Sequence, residues 1–204
     1  GEGVRELILV AQDPTAYGED WGRPGAICEL LDRLQEIDGI RWIRILYAYP
    51  ERISDAFIAA MVRNTKVVPY LDLPIQHCDD AVLKAMNRRG GRKEIEDAIA
   101  RLRAAIPGIT LRTTLIAGFP GETEEQYAEL CDFVKTVRFD RLGCFAYSQE
   151  EGTPAALMPD QIDDETKQNR RLIVEELQSG VLDDYNTSLS LIHISEPTRH
   201  LRIS

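Results

Sequence analysis

Basic side chains are scarce in this sequence: 24 Lys and Arg stand against 34 Asp and Glu among 204 residues, a formal net charge of −10. A surface that acidic disfavours a phosphate backbone as the main partner and favours a basic protein or a small molecule. No apolar run approaches the ~18 residues of a membrane span. The opening residues Gly1-Glu2-Gly3 carry no secretory-leader pattern and lead straight into strand-like sequence. Cysteine is sparse too: Cys28, Cys78, Cys131 and Cys144 lie 50, 53 and 13 residues apart. That spacing holds no zinc or iron–sulfur motif and reads as reduced structural thiols of a cytosolic protein. No GxGxxG follows the first strand-like run, which weakens a dinucleotide-binding reading. What is present, 44% hydrophobic and 28% charged residues, is the balance of a chain able to bury a core rather than a disordered one.

The last stretch stands apart. Leu189 to Arg199 reads LSLIHISEPTR, which resembles translated sequencing-adapter DNA, so residues 189–204 are expected to be an artefact tail outside the fold. Two of the three histidines, His193 and His200, lie in it, which leaves His77 alone in the body of the chain. A lone histidine supports no Ser-His-Asp or Cys-His arrangement.

The body alternates regularly between strand and helix. Strand-like runs are Glu6–Ala11, Ile40–Tyr47, Val67–Leu73, Ile109–Ile116 and Arg141–Tyr147, rich in β-branched and aliphatic residues. Helical spacing links Ile27, Leu31 and Leu34, then Phe57, Ile58 and Met61, then Ile95, Ala98, Ile99 and Leu102. Ser54 and Asp79 are placed as helix caps, and Thr123-x-x-Gln126 reads as a capping box. A final helix is expected from about Asp163 to Gln178. Five βα units in succession argue a parallel sheet with right-handed crossovers.

Unusual polar residues sit just past the strand ends: Gln12-Asp13, Tyr49-Pro50-Glu51, Gln76-His77, Gly118 to Glu122, and Tyr147-Ser148-Gln149. In a β/α barrel those ends meet at one rim and build the active site. Each position reads two ways. Asp13 suits a ribose or ammonium hydrogen bond, or a turn-forming Asx at a strand end. His77 suits a general base or metal ligand, or a loop-fixing hydrogen bond. Gly118 and its neighbours suit close backbone approach by a flat ligand, or a tight loop. Lys84, Arg88 and Arg89 form a basic knot able to take a carboxylate, or a solvated helix end.

Five segments carry a resemblance. They are LVAQDPTAYG (9–18), YLDLPIQH (70–77), VLKAMNRR (82–89), TTLIAGFPGET (113–123) and FAYSQEEGTPA (145–155). Together they resemble the methylthiotransferase branch of the radical S-adenosylmethionine (SAM) enzymes, in particular the type acting on an aspartate of a ribosomal protein. The resemblance implies a transferase with an α/β fold, a partial (β/α)6 TIM-like barrel of which residues 1–188 hold the last five βα units and a C-terminal helix. The family's first strand and CxxxCxxC cluster loop are not matched in this sequence. None of the four cysteines matches the ligands of the two [4Fe–4S] clusters of the full-length enzyme, so this chain alone is expected to bind no iron and to be inactive. Pro14 also departs from the family, which usually has threonine there.

What the family does is reductive cleavage of SAM to a 5′-deoxyadenosyl radical and hydrogen abstraction from the β-carbon of an aspartate in the decoding-centre protein of the small ribosomal subunit. Sulfur insertion and methylation by a second SAM follow. The implied partners are that basic ribosomal protein and an electron donor that the residues do not identify, in the cytoplasm. The implied cofactor-binding positions are Gln12, Asp13, Gln76, His77, Leu115, Ile116, Gly118, Tyr147 and Ser148, with Ile116 against adenine and Arg88 on the methionine carboxylate. A tRNA-adenosine methylthiotransferase and a non-catalytic α/β binding module remain the alternatives.

Overall fold

A computed structural model describes residues 3–195, and the side chains of residues 3–187. Its core is a sheet of five parallel strands: β1 (Glu6–Leu9), β2 (Trp42–Ile45), β3 (Val67–Asp72), β4 (Thr110–Ala117) and β5 (Arg141–Ala146). They are hydrogen-bonded in chain order, β1-β2-β3-β4-β5. A doubly wound sheet would reverse its strand order partway. Sequential order with right-handed crossovers instead puts every connecting helix on one face and leaves the other open, as in a length of barrel wall.

Strand β4 shows the two faces most plainly. Leu111, Thr113, Leu115 and Ala117 are buried, while Thr110, Arg112, Thr114 and Ile116 alternate with them and are only half covered. Ile8, Val10, Trp42 and Phe145 stay more than half exposed.

Among the described residues six α-helices alternate with these strands: α1 (Ala26–Gln35), α2 (Asp55–Arg63), α3 (Asp80–Ala85), α4 (Arg92–Ala105), α5 (Glu124–Val137) and α6 (Asp164–Ser195). The expected caps are made. Ser54 Oγ accepts from Phe57 N at 3.1 Å and Asp79 Oδ1 from Val82 N at 2.9 Å. In the Thr123–Gln126 box, Thr123 Oγ1 accepts from Gln126 N at 3.3 Å and Gln126 Oε1 accepts from Thr123 N at 2.9 Å. The expected apolar face of α4, Ile95, Ala98, Ile99 and Leu102, is buried.

Helix α6 runs beyond the expected end at Gln178. The physical reason is that Val181, past the glycine at 180, is still buried; burial of one more apolar side chain offsets the helix-weakening Gly180. Residues 189–195 of the expected tail lie in this helix, and 196–204 lie outside the described residues.

Candidate functional site

The C-terminal ends of β1, β2, β3 and β5, with Arg112 and Thr114 from within β4, border two adjoining cavities of about 710 and 540 Å³. Both are in the size range of small-molecule sites. Ala11, Gln12, Tyr49 and Arg88 line both cavities and join them into one mouth. Gln76 and Arg112 complete the larger cavity, and Asp13 borders the smaller.

The backbone around this mouth is unusual. Tyr47 and Gln76 line the larger cavity at φ of 65° and 70°, and Asn87 lines the smaller at 59°. Non-glycine residues in this left-handed region are uncommon, and such strain gathers at functional sites. Gln76 is held there from both sides: its N–H donates to Thr114 O at 2.9 Å, and its carbonyl accepts from Ile116 N at 2.8 Å. The Gln12 and Gln76 side-chain amides have no protein hydrogen-bond partner among the described residues, so both are free for a ligand.

Arg88 Nη2 donates to Pro74 O at 2.8 Å, and its guanidinium lies 4.5 Å from the centroid of Tyr49. A carbonyl and a ring fix its position without neutralising it.

Asp13 is already occupied. Its Oδ1 accepts from Thr15 N at 3.0 Å and from the Thr15 hydroxyl, and its Oδ2 pairs with Arg52 Nε at 2.8 Å. Of its two readings, the turn-forming Asx is the one built.

A second group of rim residues lies at the ends of β3, β4 and β5, centred on Glu122. This buried carboxylate accepts from Gly118 N at 3.1 Å on each oxygen and from Arg170 Nη1 at 2.6 Å. His77 Nε2 approaches it at 3.4 Å, while His77 Nδ1 accepts from Asp79 N at 3.0 Å. His77 is fully buried, so its side chain fixes the β3–α3 loop and lines neither cavity.

Gly118 is a second departure from expectation: where close backbone approach by a flat ligand was one of two readings, the N–H donates to Glu122 within a tight loop. Leu115 is a third, since its side chain is fully buried in the core on the helix-facing side of β4. Ile116 stands half covered on the opposite face. Tyr147 packs edge-on against Phe119 with ring centroids 5.3 Å apart, and its buried hydroxyl has no hydrogen-bond partner among the described residues. Ser148 is exposed and its Oγ donates to Glu150 at 2.8 Å.

Two residues that sequence reasoning passed over complete this group. Lys167 is buried over Gly118 with its Nζ 5.7 Å from the Tyr147 ring centroid, and Arg170 is buried against Glu122. Both lie on the buried face of α6, in line with Val174, Gln178 and Val181, and that helical spacing is the one signal in the sequence that marks them.

The four thiols do not suit an iron–sulfur cluster. They stand on α1, on the β3–α3 loop, on α5 and on β5, and burial pushes the Cys78 and Cys144 thiols up to about 12. Iron is held by thiolates, which burial of this kind opposes. Among the described residues no group of three or more His, Cys, Asp or Glu is placed to hold a metal ion.

A sequential parallel sheet with a ligand-sized mouth, edged by amides unpartnered among the described residues and by a guanidinium, defines a partial α/β barrel, the class of fold whose ligand sites lie at the C-terminal rim. Its relatives say which. Residues 1–134 match the family model described as the radical SAM superfamily, and the chain belongs to that superfamily. It is 50% identical over 187 residues to "Ribosomal protein uS12 methylthiotransferase RimO" of Geotalea uraniireducens (strain Rf4), covering 92% of this chain and 42% of that protein. The protein of the same name from Geobacter sulfurreducens is 53% identical over 168 residues, 82% of this chain and 38% of its own. The chain thus spans about two fifths of the length of the curated relatives it matches.

Among solved structures it is similar to coproporphyrinogen III oxidase of Escherichia coli, described as a radical SAM enzyme. The TM-score is 0.62 at 21% identity, over 89% of this chain and 40% of that one. The archaeal Elp3 of Methanocaldococcus infernus gives 0.57 at 16%, over 85% and 44%. Likeness at that identity concerns the fold, and the five-stranded sheet is a partial radical SAM barrel.

Proposed function

We propose that this chain forms the cofactor- and substrate-facing wall of a cytoplasmic radical SAM methylthiotransferase that modifies an aspartate of ribosomal protein uS12. Residues 1–188 are the barrel portion of that enzyme. The carrying observation is the mouth itself, where the ends of β1 and β3 and the turn after α3 bring Gln12, Gln76 and Arg88 to one place. These residues fit SAM: free amides suit a nucleoside's polar edges, and a fixed, unneutralised guanidinium suits a carboxylate.

In this reading Gln12 and Gln76 hold the adenosyl portion, and Arg88 fixes the methionine carboxylate. Glu122, braced by Arg170, keeps the β4–α5 loop in place around Gly118. The chemistry supplied by bound SAM is hydrogen abstraction from an unactivated carbon and methyl donation. The protein's part is to orient the acceptor carbon and exclude water.

The test uses the enzyme from the complete reading frame, reconstituted anaerobically and offered uS12 and tRNA side by side. One methylthio group on a uS12 aspartate, seen by mass spectrometry, is the expected result. Modification of tRNA with none on uS12 would overturn the assignment. With the present chain, calorimetry should show SAM binding weakened about tenfold or more by Arg88→Gln, the size of one lost charge-assisted contact.

A further inference from the structure

The larger cavity holds two guanidiniums and no carboxylate in its lining, within a chain whose net charge is −10. Arg88 stands at the mouth. Arg112 rises from the open face of β4, next on that face to Thr114, and its side chain is 39% exposed. Phe145, Val10 and Tyr47 supply apolar walls around it.

Arg112 has one protein partner, Asp72 on the neighbouring strand. Its Nη1 donates to Asp72 Oδ2 at 2.7 Å, a single bond rather than the paired fork a guanidinium can make. The remaining donors have no partner in the protein among the described residues. On the other side, Asp72 is fully buried and its Oδ1 accepts nothing. Burial pushes the Asp72 carboxyl above the usual carboxylate range. The outcome is a cation fixed in orientation, half desolvated, with donors aimed into an aromatic-walled cavity.

We propose that Arg112 binds the side-chain carboxylate of the acidic residue to be modified, and so sets the enzyme's preference for an aspartyl peptide. This rests on the function proposed above and names the residue that recognises the substrate. A carboxylate held by Arg112 fixes the adjacent β-carbon between the apolar walls, within the same mouth as the proposed cofactor position. Division of labour follows from the geometry: Arg88 at the mouth for one anion, Arg112 deeper in the wall for the other.

The probes are N-acetyl-aspartate methylamide and its asparagine counterpart, titrated into the 204-residue chain and followed by the arginine side-chain 15N–1H resonances. The aspartyl compound should bind and shift the Arg112 signal, with the asparaginyl compound at least about tenfold weaker. Arg112→Gln should abolish that preference. Because this variant strands buried Asp72, the paired Arg112→Gln/Asp72→Asn chain is measured alongside it. Asp72→Asn alone should tighten the aspartyl compound, since the guanidinium then faces no competing charge. Equal binding of the two probes, no binding of either, or unchanged preference in both Arg112 variants would overturn the proposal. SAM binding, measured on the same samples, reports separately on the cofactor site: its loss with the aspartyl preference intact counts against the proposed cofactor role alone.

Discussion

Gly118 sits at φ +75° at the end of β4, where a Cβ would come within 2.3 Å of Lys167 Cγ. Two penalties coincide there: a left-handed backbone and a steric clash. Gly121, three residues on at φ +80°, has nothing within 4 Å of the place a methyl group would take and carries only the first penalty. Gly118→Ala should therefore cost about 2–4 kcal/mol and Gly121→Ala about 1–2 kcal/mol, read from urea unfolding midpoints. Equal losses would mean that Lys167 yields freely and does not close the loop. The glycines themselves were legible in the sequence, but the reason for Gly118 was not, because Lys167 approaches from a helix that follows it by some fifty residues. Glu122 behaves the same way: its place after a strand marks it as unusual, while its buried pairing with Arg170 spans 48 residues. A strand-end carboxylate in sequence looks like a ligand-facing group. Here it is an internal brace.

At the level of elements, local chemistry reads well. Ser54, Asp79 and Thr123 announce helix starts because the orphan N–H groups of a first turn need a nearby side-chain oxygen, a requirement met within three residues. Thr123→Ala should lower stability by about 1 kcal/mol in thermal unfolding, and Thr123→Ser should restore most of it. A loss unchanged by serine would point to the threonine methyl rather than its hydroxyl. Asp79 joins two such starts, since its Oδ1 caps α3 and also accepts from Gln126 Nε2 at 2.8 Å. The strand cores were legible within a residue or two for the same reason of local pattern: β4 alternates buried and half-covered along its whole length. The extent of α6 was not legible, because the burial of Val181 depends on how the helix as a whole packs on β5 and α5.

Across the whole molecule, the core cluster runs from Ile27 to Val174, and α6 packs on β5 and α5 well before residue 189. If residues 189–204 are an artefact tail, their deletion should leave the melting temperature and the circular dichroism per residue of the remaining chain nearly unchanged. A marked fall in melting temperature would show that the segment belongs to the fold. The alternation of strand and helix, the parallel sheet and the gathering of polar residues at strand ends were all determined by the sequence alone, since periodicity and capping act over a few neighbouring residues. Which of those polar groups share a cavity was decided only by the tertiary structure. Gln12, Gln76, Arg88 and Arg112 meet there while His77 and Leu115 turn into the interior, because burial and ion pairing depend on contacts between segments that lie tens of residues apart along the chain.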